Sequence, residues 1–156
     1  MDNTQLVEKL KNLGMRVTPQ RLAISRYMDG RTDHPTAQQV LAALKPEYPS
    51  LSLTTVYDTL NSLVSAGAIS RLADVAGVGA RYDGDPTPHV NIICSTCGAV
   101  LDHDSPRAEE LQKEVEKVIG GRVRTGHVVF EVECAHGVDP ESCPLRKARK
   151  SREHND

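Results

Sequence analysis

A chain of 156 residues has room for one ordinary domain or two small ones. With 38% hydrophobic and 3% aromatic residues, no Trp and a single Phe, it excludes a large aromatic-built core and favours two small cores, or one completed by a partner or a metal. A formal charge of −2 excludes a basic molecule overall, so a nucleic-acid reading rests on local basic residues.

No apolar run is long enough to span a bilayer, and Glu8, Lys9 and Lys11 interrupt any signal-peptide pattern in Met1–Met15. The expectation is a soluble, cytoplasmic chain with no membrane partner. Four Cys in that setting point to metal or redox chemistry rather than structural disulfides.

In chain order, Leu6, Leu10 and Leu13 repeat at helical spacing until Gly14. Thr18-Pro19 reads as a cap and first helical position, followed by the apolar stripe Ala23, Ile24, Tyr27 and Met28. Thr36 caps a third helix bearing Ala37, Val40, Leu41 and Leu44, and Ser52 caps a fourth bearing Leu53, Val56, Leu60 and Leu63. Ala68–Leu72 and Ala80–Tyr82 then read as a hairpin around Gly77-Val78-Gly79. Short helices followed by a hairpin suit a winged helix-turn-helix over residues 1–83.

Residues 84–88, within the run Asp83-Gly84-Asp85-Pro86-Thr87-Pro88, read as a hinge. Residues 89–156 alternate strand and helix. Val90–Ile93 and Ala99–Leu101 are β-prone, Ser105-Pro106 opens a helix with Ala108, Leu111, Val115 and Val118 on one face, and Arg122–Glu133 contains a strand. Arg146–Arg152 reads as a basic, frayed tail. The predicted fold class is α+β, with an N-terminal winged helix-turn-helix and a small α/β second domain.

Cys94-Ser95-Thr96-Cys97-Gly98 is the sharpest local signal, because two thiolates three positions apart on a turn between strands can face one tetrahedral ion. Cys134 and Cys143 can supply the other two ligands of a structural zinc, with His136 as a substitute. The rival is a thioredoxin-like redox pair. That pair opens a helix, whereas Ala99-Val100-Leu101 here reads as a strand.

His34, Asp83, His89 and Asp102 bracket the hinge. Each alone is more often a cap or a solvated side chain. Imidazole with carboxylate suits iron(II) or manganese(II), and ligands drawn from both sides would couple metal binding to domain orientation. On the helix from Ser52, the polar side chains Thr54, Thr55, Asp58 and Asn61, with Tyr57 at their edge, suit base edges and phosphates; an ordinary solvated face is the bland alternative. Arg16, Arg21 and Arg26, with Arg71 and Arg81 on the wing, are candidate phosphate contacts.

Arg16-Val17-Thr18-Pro19-Gln20-Arg21, His34-Pro35-Thr36-Ala37, Ser52-Leu53-Thr54-Thr55-Val56-Tyr57, Arg81-Tyr82-Asp83, His89 and the Cys94–Gly98 turn together resemble the ferric uptake regulator (Fur) family in its usual order. The resemblance runs from about Leu6 to Cys143. It implies a metal-dependent transcriptional repressor rather than an enzyme: a homodimer binding a double-stranded DNA operator, with no small-molecule substrate. Structural zinc would sit on Cys94, Cys97, Cys134 and Cys143. Regulatory iron or manganese would sit on His34, Asp83, His89 and Asp102, with Asn91 where family members commonly carry another His. Arg16, Arg21, Thr54, Thr55, Tyr57 and Asn61 would meet DNA. A third metal site is not expected, because Pro88 and Val90 replace its usual ligands. Asp at position 102 resembles the peroxide-sensing branch, PerR, which implies oxidation of His34 or His89 by peroxide. A plain iron-, manganese- or zinc-responsive repressor is the alternative. A thiol-disulfide protein is a remote rival, and so is a zinc hydrolase or deaminase, which lacks its His-x-Glu signature here.

Overall fold

Side-chain caps set three of the helix starts in the first half. Helices α1 (Asn3–Asn12), α2 (Pro19–Met28), α3 (Ala37–Leu44) and α4 (Leu53–Ser65) precede a small hairpin of β1 (Ser70–Leu72) and β2 (Arg81–Asp83). The Thr18 and Ser52 hydroxyls accept from the Arg21 and Thr55 amides. Thr36 and Gln39 form a reciprocal capping box at α3. Each cap contributes about 1 kcal/mol by satisfying an amide that has no partner within the helix. The computed structural model describes residues 3–74, 77, 79–123, 126–134 and 139–153. It divides into two units, Met1–Ala73 with Ala80–Pro86, and Asp74–Gly79 with Thr87–Asp156.

The first unit is a winged helix-turn-helix. Ile24 and Met28 of α2, Val40 of α3, Val56, Leu60 and Leu63 of α4, and Tyr82 of β2 bury together with Leu10 and Leu51. Each such side chain contributes about 1.5–3 kcal/mol by leaving water. The β1–β2 register pairs Ser70 with Asp83 and Leu72 with Arg81.

A less expected feature is the segment from Arg31 to Thr36, which lies along the other edge of β2. Thr36 bridges Arg81, the Tyr82 amide donates to the Pro35 carbonyl at 3.0 Å, and the Gly84 amide donates to the Arg31 carbonyl at 3.0 Å. Gly84 is forced by this approach: a Cβ there would strike the Met28 carbonyl oxygen and lie 2.6 Å from the Arg31 nitrogen.

The second unit carries a three-stranded sheet in the order β4-β3-β5, from β3 (Val90–Cys94), β4 (Val100–His103) and β5 (Val128–Val132). β3 and β4 are antiparallel, and β5 joins β3 in parallel, as the intervening helix α5 (Pro106–Ile119) permits. A 3-10 turn at Pro140–Ser142 leads into α6 (Pro144–Glu153), so the segment expected to be a frayed tail is helical.

The face expected of α5 is amphipathic, yet among the described residues only its Ala108 is buried; Leu111, Val115, Val118 and Ile119 are exposed, as are Val129 and Phe130 on the edge strand β5.

Gly84→Ala is expected to destabilise the first unit by about 3 kcal/mol, the upper end of overpacking costs, because the obstacles are backbone atoms. Gly14→Ala, at a φ of +67° with open space around it, should cost only about 1 kcal/mol. Denaturant unfolding of the two variants checks the contrast, and equal losses would contradict it.

Candidate metal centres

His34 leaves the edge of β2 in a left-handed conformation, φ +52°, the only non-glycine among the described residues with positive φ. That conformation costs about 1–2 kcal/mol. Pro35 behind it also disfavours the right-handed helical region. Its ring is fully buried, with Nε2 at 3.7 Å from Oδ2 of the equally buried Asp83. The other carboxylate oxygen, Oδ1, accepts from the Asp85 amide at 2.9 Å, which turns Oδ2 towards the imidazole. A separation of 3.7 Å is too long for a hydrogen bond. It is close to the ~3–3.5 Å between two ligand atoms each ~2.1 Å from one ion.

A second constellation is built on the β3–β4 hairpin. The register sets Asn91 opposite Asp102, with His89 just before β3. His89 Nδ1 lies 2.8 Å from the Thr87 carbonyl. A carbonyl only accepts, so Nδ1 carries the proton and Nε2 of the neutral ring keeps its lone pair. Around that Nε2 stand Asn91 Nδ2 at 3.2 Å and Asp102 Oδ1 at 3.6 Å. A backbone carbonyl on the far nitrogen is the usual support of a metal-binding imidazole.

Asn91 is completely buried, and its Oδ1 has no hydrogen-bond partner. Such an atom costs about 1–3 kcal/mol, which a cation at this position would offset. The donors at both constellations, imidazole nitrogen with carboxylate and amide oxygen, therefore fit iron(II) or manganese(II).

The cysteines gather in the second unit. Sγ atoms of Cys94, Cys97 and Cys143 lie within 4.8 Å of one another. Cys134 joins through Cys94 and Cys143: burial first, then its hydrogen bonds with these two thiols, push its pKa up to about 12. Burial likewise raises the Cys97 thiol, opposed by hydrogen bonds from the Ala99 backbone and the Arg146 side chain. The four cysteines pack into an apolar cluster with Ala99 and Leu145, and an all-thiol donor set of this kind fits zinc.

The long interval from Cys134 to Cys143 is closed by the 3-10 turn. Cys143 then sits immediately before α6, where its carbonyl accepts from the Lys147 amide. His136 lies outside the described residues.

The residues expected at DNA lie in the first unit. Thr54, Tyr57 and Asn61 are exposed on α4. Tyr57 OH accepts from Gln38 at 3.4 Å, and the Thr55 hydroxyl lies 2.9 Å from Ser52 Oγ in the cap. Arg16 is exposed, and Arg21 Nη1 donates to the Arg16 carbonyl at 3.0 Å. Arg81, a candidate phosphate contact on the wing, donates from Nη1 to the His34 carbonyl at 3.1 Å. Gly84, Thr87 and Arg146 carry no motif of their own, whereas Arg81 opens the Arg81-Tyr82-Asp83 motif.

In the metal-free protein, His89 is expected as the neutral Nδ1–H tautomer, read by long-range proton–nitrogen correlation NMR. A Nε2–H signal would contradict the arrangement around Thr87.

Residues 12–131 match the ferric uptake regulator family. The peroxide-responsive repressor PerR of Staphylococcus epidermidis is 33% identical over 112 residues, 72% of this chain and 74% of that one. The crystal structure of a Campylobacter jejuni peroxide stress regulator superposes with a TM-score of 0.62 at 30% identity, over 88% of this chain and 99% of the other. The ferric uptake regulator of Pseudomonas aeruginosa with manganese gives a TM-score of 0.66 at 25% identity, over 82% and 96%. The chain belongs to the ferric uptake regulator family.

Proposed function

We propose that this protein is a metal-dependent, DNA-binding transcriptional repressor that senses peroxide through iron. The observation that carries the reading is the gathering of Asn91 and Asp102 around His89 Nε2, which the Thr87 carbonyl leaves as the unprotonated ring nitrogen and which accepts from Asn91 Nδ2 in the metal-free protein. The regulatory ligands are His34 and Asp83 of the first unit and His89, Asn91 and Asp102 of the second. Metal occupancy is a determinant of operator affinity. Cys94, Cys97, Cys134 and Cys143 hold a structural zinc.

Helix α4 is the reading helix, presenting Thr54, Thr55, Tyr57 and Asn61, with Arg16 and Arg21 at phosphates. The molecule acts as a homodimer. The exposed Leu111, Val115, Val118 and Ile119 of α5, beside the open edge of β5 with Phe130, supply an apolar face and a strand edge of the kind a second copy covers. Among the described residues no helix is long and apolar enough to cross a membrane.

The peroxide-sensing assignment rests on the similarity to peroxide-responsive repressors and on Asp at position 102. Iron(II), when bound, supplies a redox reactivity towards peroxide that manganese(II) lacks. Peroxide itself provides the oxygen atom gained by the His34 or His89 ring, and its two-electron reduction leaves water.

The test uses a duplex selected from a random pool by the manganese-loaded protein. Iron- and manganese-loaded forms are expected to bind it alike. Brief peroxide should release only the iron form, with one oxygen added to the peptide holding His34 or His89 by mass spectrometry. Equal responses of the two forms, or oxygen on the cysteines alone, would leave a plain iron- or manganese-responsive repressor. For the zinc, Cys94→Ser and Cys97→Ser are each expected to lose the metal and to lower Tm by about 10 °C or more, because a structural zinc contributes folding free energy directly. Unchanged zinc content and melting in both variants would remove the structural site.

A further inference from the structure

We propose that Arg81 is the positioning residue that holds His34 in its left-handed conformation and so sets the direction of its imidazole; this rests on the reading of His34 as a regulatory metal ligand. Three observations meet at this point. His34 has φ +52°, a region that only local contacts make worth occupying for a residue with a Cβ. The Arg81 guanidinium donates from Nη1 to the His34 carbonyl at 3.1 Å, across 47 residues of sequence. The next two residues are pinned to the same strand, Pro35 by the Tyr82 amide and Thr36 by its bridge to Arg81.

The carbonyl is the part of His34 that must turn when φ and ψ change, so a donor aimed at it selects the backbone state. That state carries the buried ring to 3.7 Å from Asp83. The side chain of Arg81 therefore works inward, although its strand belongs to the wing.

Charge and positioning predict opposite signs, which makes the assignment testable. A fixed guanidinium near a cation site repels the cation, so removing it for charge alone would tighten metal binding. Removing a positioning contact loosens binding, by about 10-fold or more for groups that orient a ligand.

The experiment compares full-length wild type, Arg81→Met, Arg81→Lys and His34→Ala. Manganese(II) affinity is measured without DNA, so that a phosphate contact plays no part. The amide–Hα coupling and carbonyl shift of His34 are read by NMR in the metal-free wild-type and Arg81 variants. Arg81→Met is expected to bind manganese about 10-fold more weakly and to lose the left-handed signature at His34. Arg81→Lys, with a single donor nitrogen on a shorter reach, should recover part of both; it also carries the comparison if Arg81→Met fails to fold.

Unchanged or tighter binding in the Arg81 variants, alongside weaker binding in His34→Ala, would overturn the proposal and leave the ligand reading intact. Weaker binding with an unchanged His34 backbone would overturn it as well. Wild-type affinity in His34→Ala would instead remove His34 from the ligand set; the NMR comparison would still decide whether Arg81 holds its backbone.

Discussion

The docking of the Arg31–Thr36 segment along β2 is the constraint on which the first unit depends. Three interactions define it: the Pro35 carbonyl with the Tyr82 amide, the Arg31 carbonyl with the Gly84 amide, and the Thr36–Arg81 bridge. Through them the end of α2, the start of α3 and the outer strand of the wing become one piece. The same pairing places His34 beside Asp83. A buried pair separated by most of the unit's sequence is thus aligned by backbone hydrogen bonds, whose geometry is far narrower than that of side-chain packing.

This arrangement also accounts for where backbone cost is concentrated. His34 lies in the left-handed region, and Gly84 tolerates no Cβ. Both border the Asp83–His34 pair. Strain at such positions persists only when surrounding contacts over-determine it. Here those contacts are a capping box at Thr36, a buried Tyr82 and the Arg81 side chain on the His34 carbonyl.

The second unit handles its polar groups differently. Its cysteine cluster sits among Ile92, Ala99, Leu101, Val132 and Leu145, so the thiols take the place of a larger hydrophobic core. The low aromatic content makes this understandable: a small sheet without large side chains needs another source of stability. The face of α5 and the edge of β5 point the same way. Their exposed Val118, Ile119 and Phe130 have an apolar content that a self-sufficient small domain would have buried.

Much of the layout was legible in the chain itself. Thr18-Pro19, Thr36 and Ser52 announced their helices because capping is a local interaction, decided within four residues. Cys94-x-x-Cys97 announced a turn that brings its two sulfurs together for the same reason, and the ordered motifs from Arg16 to Gly98 identified the family. What lay beyond sequence were contacts between distant segments. The helical character of Pro144–Glu153 and the convergence of Cys134 with Cys143 were not read from the sequence, although Asp139-Pro140 opens the turn between them with a cap and a proline. The inward direction of Arg81 was unreadable because a strand's alternation tells which face a residue occupies, while the carbonyl awaiting its guanidinium belongs to residue 34. The unsatisfied oxygen of Asn91 was unreadable likewise, since an amide's partners are set by tertiary neighbours. Local chemistry thus determined the elements and the candidate donor types; only long-range hydrogen bonding decided how the side chains were aimed.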